Sequence, residues 1–165
     1  MASNEPNNGP FGGLGGGHSK SPVNITSDSM SLDYKGQSVI FIGHVKARQD
    51  TGQITSDTLR VNYADSQMKT IKDMVADGNV RISQGTRWST SDHAVMNQAQ
   101  QTVVLTGSPV VHDGKDQITG RRITVYLKTN RSVVEGAYAV IFPHSDQDQT
   151  AGSSTPAKKK GKQAK

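Results

Sequence analysis

The chain has 165 residues, enough for one domain, but only 32% of them are hydrophobic and 5% aromatic, which leaves material for a thin core and excludes a bulky interior. Five lysines (Lys158, Lys159, Lys160, Lys162, Lys165) within the last eight residues account for the formal charge of +5, so the remainder is near neutral and a folded nucleic-acid surface is not expected. The lack of cysteine excludes thiolate metal sites, a cysteine nucleophile and disulfides, and no run reaches the roughly 18 apolar residues of a membrane helix. The N-terminus has no apolar h-region, so an exported chain is expected to have lost its signal peptide.

Residues 1–22 are dominated by Asn, Gly, Pro and Ser, with Phe11 and Leu14 isolated among them. Such a composition buries too little to offset the entropy of ordering, and a disordered leader is expected. Residues 23–143 are rich in Val, Ile and Thr and punctuated by glycine, the balance of strands rather than helices, and form the one expected folded domain. Residues 144–165 return to polar, lysine-rich content and are expected to form a disordered tail.

Within the folded span the sequence repeats itself. Thr26-Ser27-Asp28, Thr55-Ser56-Asp57, Thr90-Ser91-Asp92 and Thr119-Gly120-Arg121 are spaced by 29, 35 and 29 residues. Gly43, Gly78, Gly107 and Gly136 follow those threonines by 17, 23, 17 and 17 residues, so a second marker keeps the same phase. Around the first glycine, Val39, Phe41, Val45 and Ala47 alternate with polar positions such as His44 and Lys46, the period of a strand with one dry face. The later glycines are flanked alike by Met74, Ala76, Val80 and Ile82, then by Val103, Leu105, Pro109 and Val111, then by Val134, Tyr138, Val140 and Phe142. Each unit adds a second rib, namely Met30, Leu32 and Tyr34; Leu59, Val61 and Tyr63; Ala94 and Met96; and Ile123, Val125 and Leu127. Four repeats of about 29 residues stacked in register predict an all-β fold, a twisted, folded-over antiparallel β-jelly-roll whose facing halves enclose a long apolar slot. A glycine in mid-strand marks a bulge or bend that lets the sheet curl.

Few residues suggest chemistry. Asp28, Asp57 and Asp92 could ladder calcium or form a glycosidic carboxylate pair, but Thr-Ser-Asp is favoured turn chemistry and the fourth unit carries Arg121 instead. His18, His44, His93, His112 and His144 lack zinc spacing, and the Gly107 to Gly114-Lys115 stretch has the wrong glycine spacing for a phosphate loop. No catalytic residue, metal or cofactor is expected. Among scattered cations (Arg48, Lys69, Lys72, Arg87, Lys128 and Arg131 included), Arg121 and Arg122 rank first as contacts for phosphates or sugars at a slot mouth. The terminal ribs, roughly 25–34 and 133–142, would present unpaired strand edges.

Ile25 to Asp28, Ser31 to Tyr34, Lys35-Gly36 and Phe41 to Val45 resemble the opening of the OstA-like/LptA family, and Val103 to Gly107, Gln117 to Tyr126 and Val134 to Gly136 resemble its later repeats. The resemblance covers residues 23–143. It implies a periplasmic β-jelly-roll that binds lipopolysaccharide and links inner-membrane anchored and outer-membrane transport components by edge-strand pairing, with end-to-end self-association. On that reading the inner face holding lipid comprises Leu32, Val39, Phe41, Val45, Val61, Met74, Val80 and Ile82 in the first half of the chain. Met96, Val103, Leu105, Val111, Ile123, Val125, Val134 and Tyr138 continue it. The competing expectation is a structural, self-assembling β-repeat protein with a packed core and no lipid ligand.

Overall fold

The computed structural model describes residues 21–129 and 131–143, so the expected leader and tail, with His18, His144 and the five terminal lysines, lie essentially outside the described residues. The described chain is all-β. Its strands are β1 (Asn24–Thr26), β2 (Ser29–Asp33), β3 (Ser38–Gln49), β4 (Gly52–Tyr63), β5 (Ile71–Gln84), β6 (Arg87–Asn97), β7 (Thr102–Thr106), β8 (Val110–Asp113), β9 (Asp116–Thr119), β10 (Arg122–Tyr126), β11 (Arg131–Glu135) and β12 (Tyr138–Val140). All pairings are antiparallel and join one sheet.

That sheet divides along its length into two half-sheets. The register of the long strands breaks between Ile42 and Val45 in β3, between Thr55 and Thr58 in β4, and between Asp77 and Val80 in β5. On one side of the break lie β2, 38–42, 58–63, 71–77, 93–97, β7, β10 and β11. On the other lie β1, 45–49, 52–56, 80–84, 87–91, β8, β9 and β12. Each long strand therefore serves both halves, and a single buried cluster draws side chains from both, including Leu59, Ala76 and Leu105 from the first and Val45, Ile54 and Ile82 from the second.

The bend has a backbone cause. Gly43 and His44, Gly78 and Asn79, and Gly107 and Ser108 are consecutive pairs with positive φ, +82 and +49 at the first pair and +80 and +48 at the second. Glycine adopts this conformation without the Cβ penalty, and two such residues in succession turn a strand sharply. A Cβ on Gly43, Gly78 or Gly107 would run into Asp28, Asp57 or Asp92, the aspartates of the Thr-Ser-Asp markers. The turn role expected for Thr-Ser-Asp is thus corrected, since Thr55 to Asp57 lies within β4 and Thr90 to Asp92 within β6. There Ser56 donates to the Thr58 carbonyl at 2.9 Å and Ser91 to the His93 carbonyl at 3.1 Å, satisfying backbone acceptors where the ladder is interrupted.

Gly136 breaks the pattern. It has φ +67, but the following Ala137 is not among the positive-φ residues, so this bend is one residue shorter than the others. The parity of everything downstream inverts. Tyr138, expected on the inner face, pairs with Thr119, while Ala139 pairs with Ile118, which is opposite the inward Val111. Tyr138 and Val140 therefore point outward, and Tyr138 is 67% exposed.

Replacing Gly78 by alanine combines left-handed strain with a collision against Asp57, and is expected to cost about 1–3 kcal/mol. Urea denaturation checks this, and the double variant Gly78→Ala/Asp57→Gly should recover the steric part of the loss.

Candidate lipid-binding interior

The inner surface is assembled row by row across the strands. In the first half-sheet one row runs Met30, Phe41, Leu59, Ala76, Ala94, Leu105, Ile123, Val134. Its neighbour runs Leu32, Val39, Val61, Met74, Met96, Val103, Val125, Ser132. The second half-sheet answers with Ile25, Ala47, Ile54, Ile82, Ser89, Val111, Ile118, Ala139. Val45, Val80 and Pro109 sit at the bend itself.

Most of the residues expected to hold lipid are brought together here. Val45, Val61, Met74, Val80, Ile82, Met96, Val103, Leu105, Ile123 and Val125 belong to one buried cluster, with Phe41, Val111 and Val134 packed partly against it and Val39 buried at 8% exposure. In mid-sheet the two faces touch, because Leu59, Ala76, Ala94, Val103 and Leu105 have 0% exposure. Toward the ends the same surface opens: Leu32 is 40% and Met30 58% exposed at one edge, and the inner-row residues Ser132 and Ala139 are exposed at the other. Strand alternation around the glycines hid Ile25, Ile54 and Ile118, although each directly precedes a marker threonine.

Arg121 and Arg122 lie outside this interior. Arg121 covers Gly136 at the last bend, where the other units place aspartate, and Arg122 Nε stands 4.0 Å from Glu135 on the outer face. Arg131 rests over the Tyr126 ring, 5.2 Å from its centroid. Any role for these cations toward a headgroup is therefore exercised at the far end of the sheet.

Along the bends runs a polar spine that the sequence did not reveal. His44 Nδ1 donates to Asp28 Oδ2 at 2.7 Å, Asn79 donates to Asp57 at 2.9 Å, and His93 bonds to Asp77. The hydrogen bond and charge of Asp28 raise the His44 pKa above its ordinary 6.5. On the outer face His112 stacks on Trp88 with ring centroids 3.7 Å apart, and the Arg81 guanidinium covers Trp88 at 4.2 Å. Among the described residues no group of three His, Asp or Glu is placed to hold a metal.

Together these features define an open all-β jelly-roll with an internal apolar surface and, among the described residues, an unpaired edge at each end. Comparison with known proteins narrows the class. A family described as LptA/(LptD N-terminal domain) LPS transport protein matches residues 24–131, and the chain belongs to that family. It is 28% identical over 158 residues to the lipopolysaccharide export system protein LptA of Escherichia coli strain K12, covering 88% of this chain and 84% of that protein. It is 26% identical over 121 residues to an uncharacterised protein of Rhizobium meliloti strain 1021, covering 69% of this chain and 65% of that one. The fold matches the crystal structure of LptH, the LptA-homologous periplasmic component of the lipopolysaccharide transport device of Pseudomonas aeruginosa, with a TM-score of 0.67 at 17% identity, over 74% of this chain and 96% of that one.

Two outcomes follow from the geometry. Leu105→Ala opens a void in the closed middle of the interior and is expected to cost about 2–5 kcal/mol, whereas Tyr138→Ala should fall within about 0.5 kcal/mol, as read by urea denaturation. By NMR, His44 should titrate above the ordinary histidine range and return toward it in Asp28→Asn. Because the folded-state pKa is the higher one, the pair's contribution is full below the unfolded value and is lost as pH rises through the folded value.

Proposed function

We propose that this chain is a non-enzymatic lipopolysaccharide-binding protein of the periplasm that bridges inner and outer membrane and passes lipopolysaccharide along its apolar interior. The observation that carries this reading is the continuous inner surface, apolar from Met30 to Val134, open to solvent at Met30 and partly covered at Val134. Membership of a lipopolysaccharide-transport family and the names of the relatives support it. Each methylene of an acyl chain moved into such an interior gains about 0.8 kcal/mol, so binding needs no catalytic group. Among the described residues the terminal strands β1 and β2, and β11 and β12, each keep an unpaired side, which suits edge-strand pairing with inner-membrane anchored and outer-membrane components and end-to-end self-association. The glycine bend repeated at Gly43, Gly78 and Gly107, with a shortened form at Gly136, fits a stack of four units.

A second reading, a structural filament with a packed core and no ligand, draws on the 0% exposure in mid-sheet. On the transport reading the lipid enters as the two half-sheets part along that contact. Photocrosslinking side chains placed at Phe41, Leu105 or Val125 are expected to capture lipopolysaccharide, while solvent-facing Asp73 and Thr106 are not. Absence of capture at any inner position, in protein shown to be folded, selects the packed filament instead.

A further inference from the structure

The row Ile25, Ala47, Ile54, Ile82, Ser89, Val111, Ile118, Ala139 is apolar at every place but one. Ser89 precedes a marker threonine, the position held by Ile25, Ile54 and Ile118 in the other units. It is 1% exposed, between Ile82 on one side and Val111 on the other, and its hydroxyl has no hydrogen-bond partner. Ser56 and Ser91, by contrast, bond backbone carbonyls. The Gln84 side-chain carbonyl Oε1 is likewise buried without a partner.

These two groups are neighbours. Gln84 pairs with Arg87 and Ile82 with Ser89, so Gln84 and Ser89 stand diagonally on the same inner face, with Cβ atoms somewhat closer than about 7–8 Å. A single small polar group between them can reach both. Oε1 only accepts, so the group must donate, and a hydroxyl can give its proton to Gln84 while accepting one from Ser89. Buried polar atoms are almost always paired, which makes two orphans in one apolar wall a mark of a missing partner.

We propose that Ser89 and Gln84 form a recognition point for a hydroxyl carried on an acyl chain, so that the interior prefers hydroxylated over plain chains. The inference rests on the lipid-binding reading of that interior. It commits the ligand to a chain with a hydroxyl set within its apolar length, and it locates that hydroxyl on the second half-sheet between β5 and β6.

The test uses the full chain and two probes, 3-hydroxytetradecanoate and tetradecanoate, each titrated against a displaceable fluorescent fatty acid below its micelle concentration. The wild-type protein should bind the hydroxylated chain about five- to tenfold more tightly, the worth of one or two net hydrogen bonds. Ser89→Ala should erase that preference while still binding the plain chain, and Gln84→Met should do the same if the serine variant folds poorly. Ser91→Ala, whose hydroxyl is already satisfied, should keep the preference. Equal binding of both probes by the wild type, or a preference that survives in Ser89→Ala and Gln84→Met, overturns the recognition point and leaves the lipid reading intact. Failure of both probes to bind folded protein overturns the lipid reading and this inference with it.

Discussion

The architecture depends on the left-handed bend at Gly43-His44, Gly78-Asn79 and Gly107-Ser108. A sheet with one apolar face must bury that face against something, and here it closes on itself. Two consecutive positive-φ residues carry the strand direction through the bend, so one chain segment begins in one half-sheet and ends in the other. The aspartate lying over each glycine occupies the space a Cβ would need, which couples the Thr-Ser-Asp marker to the glycine marker. The spine hydrogen bonds, the facing rows and the single buried cluster all follow from that arrangement.

Much of this was legible in the sequence because strand alternation has a strict period of two. The inner positions Phe41, Leu59, Ala76, Leu105, Ile123 and Val134 fall on one cross-strand row, as alternating hydrophobicity implies. The exception is instructive. Counting by twos from Val134 places Tyr138 inside, and the count fails because the residue after Gly136 does not adopt the left-handed conformation. Backbone dihedrals carry no hydrophobic signature, so a one-residue change in a bend is invisible to periodicity and flips every side chain beyond it.

The site was less legible than the fold for a related reason. Composition distinguishes dry from wet faces but does not say whether a dry face is filled or left open, and mid-sheet side chains with no exposure belong to a closed interior. Pairings made across the bend, such as Asp28 with His44, join residues sixteen apart and have no local sequence signal. Ser89 has no signal of its own in the sequence, because a serine beside the Thr90-Ser91-Asp92 marker is one more polar residue until the register sets it between Ile82 and Val111.

The shortened bend at Gly136 also makes the two ends of the sheet unlike. At one edge Met30 and Leu32 are carried on β2, where they alternate with serine and aspartate; at the other, Tyr138 and Val140 have been turned to the outside. On the proposed end-to-end association, a contact of one end with the other would join unlike surfaces, so it would be heterologous and would not close on a two-fold axis. A stack built that way would have a direction. It would retain one end of each kind, and its length would be set by concentration and by whatever caps those ends rather than by symmetry.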